Sequence, residues 1–427
     1  MAAIPLMEEL SGSASSPMIA GIAGVSQPQP HQIEIGGAAM ADTPRKLSIY
    51  AASAGFDLVD ELDHLAMRAI EPNVFFNPRF LAPAMPRLED REVFLAVMRD
   101  ENDLRSRLRL LLPYSIEKPV LGIGSAVMRA WSSPFGPVGT PLIDSDDPVG
   151  TTEDFLTMLA RPTLSLPGVL VMPDIMLDGA SASVLRTAAL ARNLTVETVN
   201  KNERAELKST LSGDEYFKAA LKPHHFREFK RLRRRLGEEG ELRFAMARDP
   251  DDIRVGCEAF LTLELMGWKG RERSAMASDR FQAAFAREAI DRLSEQDMVR
   301  VHTLSLDGNV IAAIIVFIER GIAYTWKTAY DEALAKFSPG TLLMMEATRR
   351  NLEDPNIQVT DSCAIPGHPV MERLWTERRQ TGTLIIGLTP DADRAVRKTA
   401  SQIHLYRETR NLARTMRRKV KSFIARR

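Results

Sequence analysis

The chain has 427 residues and sets 56 Lys+Arg against 56 Asp+Glu, with 44% hydrophobic and 26% charged residues. That length suits two to three domains of about 100–200 residues, and that composition suits a globular protein. The charge balance excludes a surface that attracts nucleic acid or membrane everywhere, although local patches of either sign stay open. Cys257 and Cys363 are the two cysteines, too few for a disulfide framework, and they fit a reducing cytosol. Cys and His at zinc spacing are missing, so no metal is expected. No apolar run approaches the roughly 18 residues of a membrane span. Residues 1–44 hold no Lys or Arg, so they lack the basic start of a secretory signal. The expected location is cytoplasmic, with a peripheral place at the inner membrane left open.

Residues 1–44 are rich in Ser, Gly, Ala, Pro and Gln, and read as a disordered leader. Lys46–Ala51 alternates as a strand does. Asp57–Ile70 has helical spacing at Leu58, Leu62, Leu65 and Ala69. Phe75-Phe76-Asn77-Pro78 leads into a second helix. Strands are predicted at Val93–Met98 and Leu108–Pro113, then a Pro- and Gly-punctuated loop over Trp131–Asp144. Helix, strand and helix follow at Thr152–Ala160, Gly168–Met172 and Ala180–Asn193. Thr195–Val199 and Ala205–Thr210 read as two separate strand-like pieces. A boundary falls near 211–222.

The second half opens on a basic helix, Pro223–Glu239, and the strand Glu241–Met246. Two long helices come next, Asp251–Gly267 and Asp279–Glu295. Strands Val299–Leu306, Val310–Glu319 and Ile322–Ala329 are joined by Asp307-Gly308, a strong hairpin signal, and by Arg320-Gly321. Helix Pro339–Leu352, strand Ile357–Thr360, a short helix near Val370–Glu377 and strand Thr383–Ile386 complete it. Asp391–Arg427 is predicted as a basic helical tail. The fold class is therefore α/β with a mixed sheet, in two similar lobes side by side. The expected divisions are 1–44, 45–211, 212–390 and 391–427.

Four segments could carry chemistry. Ser338-Pro339-Gly340-Thr341 opens a helix right after a strand. Ser338 suits the N-cap, Pro339 the first helical position, and Gly340 lets a ligand approach the backbone. Such a start favours a phosphate, or is simply a good helix start. Along the strand Tyr324–Asp331, Tyr324 and Trp326 share a face, while Lys327 either faces a cleft or snorkels to the edge. Gly267-Trp268-Lys269-Gly270-Arg271 is a basic loop in which Trp268 can stack on a planar or sugar group while Lys269 and Arg271 hold an anion. Lys222–Arg235 carries seven Lys/Arg against one acid, with Phe226, Phe229, Leu232 and Leu236 as its buried seam. It suits an anionic partner, or is a solvated face. The tail 391–427 carries twelve Lys/Arg against three acids and shares that partner reading. Asp361, after a short strand, is a candidate base or orienting carboxylate, and His368 titrates near neutral pH.

Trp268-Lys269-Gly270-Arg271, then Leu306-Asp307-Gly308-Asn309-Val310-Ile311-Ala312-Ala313, then Tyr324-Thr325-Trp326-Lys327-Thr328-Ala329-Tyr330-Asp331, then Phe337-Ser338-Pro339-Gly340, in that order, resemble the BioF2-like or CelD/BcsL group of GNAT acetyltransferases. That group is related to the Fem-type aminoacyl transferases. The resemblance covers about residues 205–388. It reaches the first half through Phe75-Phe76-Asn77-Pro78 and Ser133-Pro134-Phe135-Gly136-Pro137. It implies two GNAT-like lobes and acyl transfer from acetyl-CoA to a small amine or amino sugar, in cellulose or exopolysaccharide production. Lys327, Ser338, Pro339, Gly340 and Thr341 would then hold the donor. Trp268, Lys269, Arg271, Tyr324 and Trp326 would hold the acceptor. Tyr330, Asp331, Asp361 and His368 are the candidates for proton transfer. Two alternatives are a Fem-like transferase using aminoacyl-tRNA and a catalytically degenerate assembly protein. Lys336–Thr341 departs from the family's phosphate loop in having a single glycine.

Overall fold

The computed structural model describes residues 3–10, 44–102, 105–118 and 124–424. The first half runs β1 (Met7–Leu10), β2 (Arg45–Ala51), α1 (Val59–Arg68), α2 (Pro78–Leu88), β3 (Val93–Asn102), β4 (Arg105–Glu117), β5 (Val127–Ala130), β6 (Leu142–Ile143), α3 (Pro148–Leu159), β7 (Val169–Met176), α4 (Ala180–Ala191) and β8 (Val196–Leu207). The second half begins with α5 (Gly213–Ala220), α6 (Pro223–Gly237), β9 (Leu242–Ala247), α7 (Pro250–Met266), α8 (Trp268–Arg271) and α9 (Arg280–Ser294). It continues with β10 (Val299–Leu306), β11 (Asn309–Glu319), β12 (Ile322–Tyr330), α10 (Pro339–Glu353), β13 (Val359–Asp361), α11 (Met371–Leu374), β14 (Glu377–Gly387) and α12 (Asp393–Ile424).

All these strands join one mixed sheet, in the order β1-β2-β3-β4-β5-β7-β14-β8-β13-β12-β11-β10-β9, with β6 on β4. The two halves repeat one plan. A run of antiparallel strands ends in one parallel pair, β5 on β7 in the first half and β12 on β13 in the second. The closing strands then change places. β8, which ends the first half, pairs with β13, and β14, which ends the second, pairs with β7. β8 and β14 also pair with each other, which makes the sheet continuous across the two lobes.

Met7–Leu10 corrects part of the expected leader. It lies antiparallel to β2, with Glu8 within 2.9 Å of Lys46, because an unpaired strand edge accepts any extended segment. Residues 11–43 of that leader lie outside the described residues. Among the described residues no helix is long and apolar enough to cross a membrane.

One apolar core belongs to both lobes. Phe75, Phe76 and Phe80, around the start of α2, pack with Phe285 of α9, Phe317 of β11 and Trp326 of β12. Phe80 sits edge-on to Phe285 at 5.2 Å, and Phe317 meets Trp326 at 4.9 Å. On its other side each lobe has its own core, against α3 and α4 in one and α5, α6 and α10 in the other. Besides the continuous sheet, the lobes therefore meet where α2 packs on α9, and the residues at that seam are positioned from both halves of the sequence.

Glu319, at the end of β11, is buried in this seam, where its Oε1 accepts from Asn77 Nδ2 at 3.0 Å and its Oε2 has no partner. Burial pushes its carboxyl up to about 7. Between about pH 4.5 and 7 the folded chain thus holds a proton that the unfolded chain has released. The stabilisation it carries is fully present below about pH 4.5 and is lost as pH rises through 7. Glu319→Gln is therefore expected to raise stability at pH 8 by up to about 3 kcal/mol and to change little near pH 4. Thermal unfolding at both pH values checks this, and equal shifts at the two would contradict it.

Candidate active site

β12 carries the local irregularity on which the site is built. Ile315 pairs with Lys327 but Val316 pairs with Thr325, so Trp326 is an extra residue, a β-bulge. On its other side β12 follows β13 only from Ile322 to Tyr324. The Thr325 hydroxyl then bonds the carbonyls of Asp361 and Ser362 at 3.3 and 2.9 Å, and Cys363 turns the chain away at φ 50°. From Thr325 onward the two parallel strands part, and the edge of β12 opens beside the start of α10.

The loop Trp131–Ile143 closes this opening from the first lobe. Asn73 holds it through the carbonyls of Val138 and Thr140, at 3.1 and 2.7 Å. A side chain at Gly139 would collide with the Pro173 carbonyl, so only glycine fits there. The tip of the loop offers three carbonyls to residues 67 or more positions away. Phe135 O accepts from Trp326 Nε1 at 2.6 Å, Pro134 O from Lys327 Nζ at 3.4 Å and Pro137 O from Arg204 at 3.0 Å.

Lys327 therefore points into the lobe junction, with its ammonium 4.5 Å from the Phe135 ring centre. Burial, aided by the like charge of Lys269, pushes it down to about 8. Its neighbour Lys269 pairs with the buried Glu264 at 2.5 Å, and Glu264 also accepts the Met276 amide at 2.8 Å. Glu332, just past β12, accepts the Trp268 amide at 2.7 Å and the Arg271 guanidinium at 2.5 Å. Those two bonds tie α8 to the end of β12. The resulting cleft is lined by Glu264, Trp268, Lys269, Thr328, Tyr330 and Glu332.

The structure thus brings together Trp268, Lys269, Arg271, Lys327 and Tyr330. Trp268 is half exposed. The Tyr330 ring lies against Gly340, 3.1 Å from where a β-carbon would stand, so this glycine makes room for a ring of the chain itself. Among the described residues nothing hydrogen-bonds the Tyr330 hydroxyl. Ser338 is at the N-cap of α10 but in the left-handed region, and makes no side-chain cap bond. Its carbonyl accepts both the Thr341 and the Leu342 amides, at 3.0 and 3.1 Å. With Pro339 lacking an N–H, this leaves the Gly340 amide as the donor open at the helix start.

Other predicted residues have structural partners. Tyr324 is buried, gives its hydroxyl to Pro72 O at 3.0 Å and packs on Phe75, so it faces no acceptor. Trp326 is buried in the shared aromatic core. Asp331 caps the turn after β12 by accepting the Ala333 amide at 2.9 Å. Asp361, 1% exposed, pairs with Arg204 at 3.3 Å and accepts the Cys363 amide at 2.7 Å. His368 Nδ1 accepts the Met371 amide at 3.3 Å at the start of α11, and burial lowers its pKa. Sequence reasoning missed Arg204, Glu264 and Glu332. For Glu332 the signal was its place directly after Asp331, and for Glu264 its place five residues before Lys269.

Residues 223–364 match the family model described as an acetyltransferase (GNAT) domain. The match covers about a third of the chain, from the start of α6 to just past β13. FemX is similar in structure, with a TM-score of 0.51 at 9% identity over 78% of this chain and 96% of that one. A conserved protein of unknown function from Bacteroides thetaiotaomicron gives 0.50 at 9% identity, over 77% and 96%. The C-terminal domain of a putative lysylphosphatidylglycerol synthetase from Agrobacterium fabrum gives 0.48 at 11%, over 80% and 95%. No curated protein matches the chain by sequence. At such identities the likeness concerns the fold, and the architecture is two GNAT-like lobes in tandem within one sheet.

Proposed function

We propose that the chain is an N-acyltransferase that moves an acetyl or other short acyl group from a CoA thioester to an amine. The observation that carries this is the parted edge of β12, opening beside the start of α10 and closed off by the first lobe's loop. A thioester laid along that edge could hydrogen-bond to strand amides, which would stabilise the oxyanion of the tetrahedral intermediate. The pyrophosphate would meet the Gly340 amide and the cations Lys336 and Arg235, both of which rest against the Phe337 ring at the helix start.

In the step itself, the neutral amine attacks the thioester carbonyl, the C–S bond breaks and CoA leaves as thiolate. Tyr330, at the end of β12 with a free hydroxyl, is the group proposed to return a proton to that sulfur. The amine's own proton leaves through water, since Asp331, Asp361 and His368 hold amides of the chain. Trp268 and Arg271 form the outer wall for an amino sugar or other small amine, the acceptor class that the resemblance to the BioF2-like and CelD/BcsL group implies. A place in polysaccharide production belongs to the same proposal, as does the division of the chain into lobes at 45–211 and 212–390.

Gly340→Trp tests where the donor sits. It should lower acetyl-CoA affinity at least about thirtyfold in calorimetry, about 2 kcal/mol, while pushing aside the Tyr330 ring that lies against this glycine. Unchanged affinity would remove the start of α10 from the donor site.

A further inference from the structure

On the opposite face of the sheet, α6 and α10 leave a groove of about 300 Å3 between them, at the lower end of the volumes that hold small molecules. Both helices present the same spacing to it. Phe226, Phe229, Lys230 and Arg233 lie at i, i+3, i+4 and i+7 on α6, and Leu342, Met345, Glu346 and Arg349 do so on α10. Seven residues of helix make the groove about 10 Å long. Its floor is apolar, made by Phe226, Phe229, Leu342 and Met345 with Phe244 of β9. These belong to the core behind α6 and α10, whereas Trp326 and Ala329 of β12, on the acceptor side of the candidate active site, belong to the core shared by the lobes.

The two walls differ in charge. On the α10 side Arg349 is flanked by Asp214 at 3.0 Å and Glu346 at 3.3 Å, and Arg350 also pairs with Glu346 at 3.4 Å, so two arginines offset the two acids of that wall. On the α6 side Lys230 and Arg233 form no ion pair among the described residues. Each lies instead over an aromatic ring of the floor, Lys230 at 4.4 Å from Phe226 and Arg233 at 4.9 Å from Phe244. Two solvent-exposed cations folded over an apolar slot can both swing onto an anion and leave its floor uncovered. The lining contains no amide or hydroxyl side chain to read the edge of a base or the hydroxyls of a sugar. Met345, unbranched and adaptable, suits a flexible chain.

We propose that this groove binds a single-chain anionic amphiphile, with its carboxylate or phosphate between Lys230 and Arg233 and its alkyl chain along Phe229, Leu342 and Met345. The inference is independent of the acyl-transfer reading. Calorimetry of the full chain with decyl phosphate and decanoate, each kept below its micelle concentration, tests it. Inorganic phosphate and AMP are the comparison ligands. One amphiphile is expected per chain, bound at least tenfold more tightly than inorganic phosphate. Lys230→Glu with Arg233→Glu changes two exposed side chains and should weaken binding at least tenfold at unchanged melting temperature. Met345→Trp should weaken it by filling the floor. Absence of saturable binding by both amphiphiles would overturn the proposal. So would equal affinity in the charge-reversed chain, or AMP binding more tightly than decyl phosphate, which would assign the groove to a nucleotide.

Discussion

Arg204→Met is expected to destabilise the chain by about 3–5 kcal/mol in equilibrium denaturation, because it leaves a buried carboxylate without its counter-charge. Arg204 comes from β8 of the first half and Asp361 from β13 of the second, and both are almost fully buried where the exchanged strands meet. The same guanidinium holds Pro137 O at 3.0 Å, so its loss also frees the loop that covers the candidate site. Pairing the change with Asp361→Asn should restore part of the stability, since the uncompensated charge is then gone. A loss below about 1 kcal/mol in the single variant would contradict this account of the junction.

Tyr330→Phe is expected to lower kcat for acyl transfer by about 100-fold or more while leaving acetyl-CoA affinity within about twofold. The phenyl ring keeps the contact with Gly340, so the donor site keeps its shape, and only the proton donor to the leaving thiolate is lost. Thiol release with glucosamine as acceptor measures kcat, and calorimetry measures the affinity. Equal kcat would remove Tyr330 from proton transfer. A fall in affinity with kcat preserved would make it a binding residue.

Much of the second half was legible because its signals are local. The Asp307-Gly308 hairpin has both residues at positive φ, 49° and 80°, and Arg320-Gly321 repeats this at 46° and 85°. The seam of Phe226, Phe229, Leu232 and Leu236 is buried as its spacing requires. β8 was less legible. Its polar middle, Asn200–Arg204, read as a break between two pieces, yet Val196–Leu207 is one strand with a left-handed residue at Asn200. The exchange of β8 and β14 leaves no mark in either strand's own pattern.

The candidate site was half legible for a related reason. Alternation along β12 put Tyr324 and Trp326 on one face, and the family resemblance gave both to the acceptor. Their partners are Pro72 O and Phe135 O, 252 and 191 positions away, and these turn both side chains into parts of the lobe junction. Asp331 and His368 looked titratable and available, but short-range amides occupy them. By contrast, Trp268, Lys269, Arg271, Lys327 and Tyr330 do converge, because Glu264 and Glu332 fasten the loop after α7 to the end of β12.

The donor decides the central claim, and titration calorimetry of the intact chain with acetyl-CoA tests it most directly. One acetyl-CoA per chain, bound at micromolar strength and with little dependence on salt beyond that of its phosphates, is the predicted result. No acetyl-CoA binding, together with tRNA binding that weakens steeply as salt rises, would contradict it and assign the basic helix α6 and the open edge of β12 to an aminoacyl-tRNA donor.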